Sequence, residues 1–323
     1  MLRGLPPWAM DCRNGELASA LERLLHTWQP DVVEVHLQAM AQYVDAPARR
    51  NVPAILVDHD PPSLWARDAL KTTSGPQRLA RRFEAAVWER YERATRDRFD
   101  AVVVFTERDL DAAARTAPRT SLVKIPLTVE IPARPLDPLG FDPPTILFVG
   151  AFNHAPNVDA ALRLARRIFP RVLERAPGAR LALVGHEPGD EVRALAGGVV
   201  SVHASVPDVM PYLEQAAIVV APIRLGGGMR LKVLEALAAG KAVIASRLAV
   251  EGIEARAGEH FVLADTDEEV VEALVALLQS GERRRALGER ARAWAEQTLG
   301  WEQPIGSFEQ LYDAVIAARE RSV

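Results

Sequence analysis

The stretch that most constrains the fold runs from Val219 to Ser246, VVAPIRLGGGMRLKVLEALAAGKAVIAS. It reads as a strand, a glycine loop, a helix and a second strand. The run Val219-Val220-Ala221-Pro222-Ile223 is apolar and closed by a proline, as a buried parallel strand is. Gly226, Gly227 and Gly228 let the backbone turn sharply and come close to a ligand. A helix is expected from near Met229 to Gly240, a C-terminal cap residue. Val233, Leu234, Leu237 and Ala238 form its inward stripe, and Lys232 and Glu235, three residues apart, share the other face. Arg230 and Lys232 add two charges to the unpaired N–H groups and positive dipole pole of the helix start, which suits a diphosphate better than a single carboxylate. Glu235, one turn further on, can accept hydrogen bonds from ribose or sugar hydroxyls. The plain alternative is a glycine turn before an ordinary helix that carries one Arg, one Lys and one Glu.

The rest of the chain repeats the strand–helix alternation. Strands are expected at Asp31–His36, Pro53–Val57, Asp100–Phe105 and Ser121–Leu127, then at Thr145–Gly150, Arg180–Val184, Val199–His203 and Phe261–Leu263. Helices fall between and after them, including Glu16–Thr27 with Leu17, Leu21, Leu24 and Leu25 inward, and Val158–Arg175. This pattern implies an α/β chain with mainly parallel sheets. Five prolines between Ile131 and Pro144 mark a linker. The expected domains are therefore residues 1–138, residues 139–300 and a terminal helical segment, 301–323. In open parallel sheets ligands bind outside the carboxyl ends of the strands. That rule draws attention to His59, two residues after the Pro53–Val57 strand.

Several function classes are disfavoured. Net charge is −4, so no global field marks nucleic acid as a partner. The single cysteine, Cys12, rules out an intramolecular disulfide or a cysteine metal cluster and fits a reducing, cytoplasmic setting. No Asp/His cluster has metal-ligand spacing. No apolar run has the length of a membrane span, and MLRGLPPWAM lacks the core of a signal peptide. Residues 76–98 are rich in arginine, with Leu79, Phe83, Val87, Trp88 and Tyr91 at helical spacing. They read either as a basic amphipathic face for anionic lipid or as a surface helix whose arginines pair with Glu84, Glu89, Glu92 and Asp97.

GGGMRLKVLEALAAGKAVIAS resembles the donor-site segment of the GT-B glycosyltransferases of retaining family 4, in the branch whose loop reads G-x-G-x-R-x-K-x-x-E-A. The similarity runs from about Ile146 to Leu311 and more weakly before it. It implies two Rossmann-like lobes and a nucleotide-diphosphate sugar as donor substrate, with no cofactor and no metal. It implies transfer to a glycan, lipid-linked or small-molecule acceptor with retention of configuration. Glu235 takes the place of the glutamate that contacts the ribose. Gly227 takes that of the motif's other glutamate and offers backbone groups only. The Gly150–Asn157 segment carries no Arg or Lys, so phosphate charge falls to Arg230 and Lys232. Backbone N–H groups at Glu251 and Gly252 are expected near the phosphates. His59, in PAILVDHD, is expected near the anomeric centre and the acceptor; a solvated loop histidine between two aspartates is the alternative. The last helix is expected to return to the N-terminal lobe.

Nothing before Asp31 reads as the strand, glycine loop and helix that the resemblance implies at the start of that lobe, so a lobe that is truncated, partnered or swapped into a dimer is expected. The strand near Val32–Val35 then becomes an open edge, which a second copy or a partner would cover. A cytoplasmic protein is expected, peripheral at the inner membrane face if its acceptor is lipid-linked. Competing readings are a non-catalytic nucleotide-sugar-binding scaffold and a nucleotide-sugar epimerase on the same fold. A Rossmann dehydrogenase is weakest, because no G-x-G-x-x-G follows the first strand.

Overall fold

The computed structural model describes residues 5–70, 73–225 and 231–321. The chain forms two compact units. One holds residues up to Pro126 together with the helix from Glu302, and the other holds residues from Leu127 to Trp301.

In the first unit, β1 (Val33–His36), β2 (Ala54–Val57), β3 (Ala101–Val104) and β4 (Ser121–Lys124) form a parallel sheet in that order. Every residue of β2 and β3 is buried, as expected for central parallel strands made of uninterrupted apolar runs. Among the described residues β1 pairs on one side only. The Gly15–Thr27 helix departs from its sequence pattern. Leu25 is buried, but Leu17 and Leu24 are 42% and 53% exposed. It packs chiefly on the four-residue Asp45–Ala48 helix, which is too small to cover a full leucine stripe.

The Gly75–Thr95 helix buries Trp88 and Tyr91 against Ala9 and Ala39 and leaves Leu79 and Phe83 exposed. At its end Arg96 lies wholly buried between Asp58, with which it forms an ion pair, and Glu92 at 3.2 Å. Gln38 accepts from Arg96 at 2.9 Å. Glu92 also accepts from the Ser63 backbone at 2.9 Å and its hydroxyl at 2.6 Å. Burial pushes the Glu92 carboxyl up, and Arg96 opposes that shift. The acids between residues 76 and 98 do find arginines, although two of these come from other elements. Glu84 pairs with Arg81 at 2.6 Å, Glu89 with Arg67 and Asp97 with Arg119. The Glu302–Glu320 helix belongs to this unit: Tyr312 donates to Glu34 at 2.7 Å, and Arg319 pairs with Asp100 at 2.9 Å.

The second unit is a six-stranded parallel sheet. Its strands are β5 (Thr145–Val149), β6 (Arg180–Gly185), β7 (Val200–Ala204), β8 (Ala216–Ala221), β9 (Val243–Ala245) and β10 (Val262–Leu263), in the order β10-β9-β8-β5-β6-β7. The chain winds outward from β5 in one direction and, from β8, in the other, so the strand order reverses beside β5. The strand expected at Val219–Ile223 begins earlier, at Ala216, and ends at Ala221, where Pro222 has no N–H to continue the ladder. The Leu231–Ala238 helix buries Val233, Leu234, Leu237 and Ala238, as their spacing implies, and Gly240 follows at φ 77°. The helix expected at Val158–Arg175 is interrupted by a π-type turn at Leu164–Ile168, next to Pro170, whose ring nitrogen cannot bond back to residue 166.

The two units divide at Pro126/Leu127, earlier than the 138/139 boundary drawn from the prolines. The proline-rich segment is packed onto the second unit. Leu136 N–H donates to Ala239 at 2.9 Å, Phe141 N–H to Gln215 at 3.0 Å, and Arg292 donates to the Pro132 carbonyl at 2.7 Å. Val129 is buried in a cluster with Leu234, Ala238 and Ala295. Prolines lack N–H groups, so such a segment docks through its carbonyls and apolar rings without unmet donors.

Candidate functional site

In the second unit, the carboxyl ends of β5 and β6 meet through two glycines. A Cβ on Gly185 would stand 1.7 Å from the Gly150 carbonyl oxygen, and a Cβ on Gly150 would press on the Asn157 side chain at 2.9 Å. Only glycine fits at either place. Beside them lies a cavity of about 670 Å³ lined by Gly150, Asn157, His186, Ser205, Val209 and Lys232, among others.

Asn157 is 7% exposed. Its amide nitrogen donates to the Ala151 carbonyl at 2.9 Å, which leaves its oxygen to accept from Lys232 Nζ at 2.6 Å. The same ammonium lies 4.8 Å from the centre of the Phe148 ring, within cation–π range. A full positive charge is thereby fixed at the carboxyl end of β5. Across the cavity, His186 Nδ1 and the Ser205 hydroxyl are 3.4 Å apart. Glu187 lies 3.3 Å from His186 Nε2 and accepts from Asn153 at 3.1 Å. Glu187 and Ser205 both adopt left-handed backbone conformations, at φ 48° and 50°, which non-glycine residues seldom do.

A second cavity, about 430 Å³, adjoins the first through Val209 and is lined by Glu130, Asp208 and Glu235. The Glu235 carboxyl is pushed up from its ordinary value by burial, with Lys232 pulling the other way. The carboxylates of the second cavity offer acceptors for hydroxyl groups, while the Lys232 ammonium lining the first attracts an anion.

Gly226, Gly227, Gly228 and Arg230 lie outside the described residues. Glu251 and Gly252 follow β9 and the short turn Leu248–Val250, with Gly252 at φ 79°, and neither lines the two cavities. His59 stands in the first unit, two residues past β2. It is half-buried, packed edge-on against Phe105, with Nε2 3.0 Å from His36 Nδ1. Burial, then His36, lowers its pKa, while Asp58 raises it. Sequence reading did not single out His186, Ser205 or His36. Gly-His-Glu at the end of β6 was a usable signal for the first, as was the alternation Glu34-Val35-His36 for the last. Among the described residues, no group of three or more His, Cys, Asp or Glu side chains is arranged to hold a metal ion, and no helix is long and apolar enough to cross a membrane.

Two family models match the chain. The Glycosyltransferase Family 4 model matches residues 4–130, and the Glycosyl transferases group 1 model matches residues 143–280. A curated relative, the phosphatidyl-myo-inositol mannosyltransferase of Mycobacterium tuberculosis and M. bovis, is 30% identical over 148 residues. That match spans 42% of this chain and 38% of the relative's length. Among solved structures, sucrose-phosphate synthase from Thermosynechococcus elongatus superposes with a TM-score of 0.74 at 19% identity, covering 94% of this chain and 78% of the other. A glycosyltransferase from Rickettsia africae superposes at 0.68 with 14% identity, covering 94% and 83%. At these identities the structural likeness establishes the fold.

Proposed function

The chain belongs to the GT-B glycosyltransferases of the family 4 group, and from that membership we propose that it moves a sugar from a nucleotide-diphosphate donor to a hydroxyl acceptor, with retention of configuration. The observation that carries this reading is the Lys232 ammonium, held by Asn157 beside Gly150 at the end of β5. In the reaction the anomeric C–O bond to the diphosphate breaks, a C–O bond to the acceptor forms, and the acceptor hydroxyl gives up its proton. Negative charge grows on the departing diphosphate. Lys232, together with Arg230 and the glycine-loop N–H groups, is assigned to neutralise it; fixed charge of this kind is usually the largest catalytic term. Because the chain's own cations carry that charge, the reading needs no metal. Glu235 is assigned to the ribose, the Glu251–Gly252 backbone to the phosphates, and His59 to the reacting centre.

The acceptor is taken to be a glycan or a lipid-linked alcohol. Exposed Leu79 and Phe83, with Arg78 and Arg82 also exposed on the same helix, supply the apolar and basic groups that peripheral contact with anionic lipid requires. The test is turnover of a panel of nucleotide-diphosphate sugars with and without glycan and lipid-linked acceptors, with the anomeric configuration of the product read by NMR. Acceptor-dependent release of nucleoside diphosphate with a retained anomer supports the proposal. Nucleotide binding without turnover, or release of free sugar alone, defeats it.

A further inference from the structure

A line of polar side chains in the first unit leads from the C-terminal helix to His59. Strand β1 alternates, so Glu34 and His36 lie on one face. The parallel register sets His36 beside Val57, and His59 follows two residues later. Tyr312 donates to Glu34 Oε1 at 2.7 Å. Glu34 Oε2 lies 3.2 Å from His36 Nε2, and His36 Nδ1 lies 3.0 Å from His59 Nε2. The turn after His36 is strained: Leu37 has φ 72° although it is not glycine, and its N–H bonds to the Val57 carbonyl at 3.0 Å. That bond ties the end of β1 to the end of β2, where His59 begins its loop.

The chemistry of these groups orders their protons. An ionised carboxylate only accepts, so the neutral His36 ring carries its proton on Nε2 and presents a lone pair at Nδ1. That lone pair must receive a proton from His59 Nε2. His59 is then left with its lone pair on Nδ1. A histidine's second nitrogen is commonly set in this way by the partner of its first.

Resting on the transferase reading, we propose that Glu34 and His36 are positioning residues that hold His59 in the Nε2–H tautomer, with Nδ1 free to accept a hydrogen bond from a hydroxyl of the reacting sugar or the acceptor. Tyr312 completes the line by occupying the other Glu34 oxygen, which turns the carboxylate toward His36. The C-terminal helix thereby supports His59 without touching it.

The test has one readout that needs no turnover. ¹⁵N NMR of the full-length, histidine-labelled protein at neutral pH should show His59 Nδ1 at a lone-pair shift and Nε2 at a protonated shift. In His36→Phe, which keeps a ring beside His59, the His59 signals should move to tautomer-averaged values. With kinetics, His36→Phe should lower kcat at least tenfold and leave the KM for donor within about twofold, and Glu34→Gln should lower kcat less. A wild-type His59 protonated on Nδ1, or His36→Phe with unchanged His59 shifts, overturns the relay whatever the rates are. Wild-type shifts as expected with His59→Ala turning over normally would overturn the assignment of His59 to the reacting centre, and with it the role proposed for the relay. Absence of any transfer by the wild-type protein would instead tell against the transferase reading, while the NMR result would still judge the tautomer.

Discussion

At the scale of single residues, Lys232 shows what spacing can and cannot convey. Its place on the polar face of a helix after a glycine loop follows from the helical period alone. Its clamp by Asn157 does not, because the two residues are 75 positions apart and neither is unusual in its own segment. Replacing Lys232 with Ala should lower kcat/KM for the donor by about 10²–10³, the range for losing a charge-stabilising donor. Replacing Asn157 with Ala should cost less, roughly tenfold, since the ammonium stays and only its orientation is lost. Steady-state kinetics on the two variants decide it; equal losses would mean that Asn157 does more than orient Lys232. Glu235 was legible as a polar neighbour of Lys232, but the burial that pushes its carboxyl up, against the pull of Lys232, comes from the tertiary fold.

At the scale of elements, strands were easy to find and helix faces were not. Buried parallel strands are continuous apolar runs, so β2, β3 and β5 announce themselves. A helical stripe says only that a partner is expected; on Gly15–Thr27 the partner is small and two leucines stay in water. The join between the Gly75–Thr95 helix and β2 is a charge cluster whose members come from separate segments. Arg96→Met would leave Asp58 and Glu92 buried with no cation, so it should lower stability by about 3–5 kcal/mol, read as a fall in urea midpoint at constant m-value. Lys241 offers a pH test. It is buried, donates to the Asp137 and Glu214 carbonyls, and has its pKa lowered to about 8 by burial. Between about 8 and the ordinary lysine value near 10.4 the unfolded chain binds the proton that the folded one has released, so stability rises with pH across that window. Below it both states are protonated and the cost of the buried charge is constant. The wild-type protein should therefore gain stability relative to Lys241→Met as pH rises from about 8 to 10, a trend that thermal melts across that range would reveal; a flat difference would show that Lys241 titrates normally.

At the scale of the whole molecule, the chain leaves the first unit at Pro126 and returns to it at Glu302. A fragment of residues 127–301 should thus fold cooperatively on its own and keep nucleoside-diphosphate affinity within about threefold of the full chain, measurable by calorimetry. A chain ending at Trp301 loses the Tyr312–Glu34 and Arg319–Asp100 contacts and the buried Leu311 and Val315. It should melt in two steps, with only the first unit weakened. A single lowered transition would show that the units unfold together.

The alternation of apolar runs with amphipathic segments was enough to imply the parallel α/β architecture and the Leu231–Ala238 helix with its inward stripe, because those features depend on neighbours within a few residues. Which polar groups meet was decided by tertiary structure alone. Asn157 reaches Lys232, and Glu34 reaches both His36 and Tyr312, only because strand register and a returning helix bring distant segments within hydrogen-bond distance. The same holds for the proline-rich stretch, whose composition reads as a linker and whose carbonyls find donors only on the folded second unit.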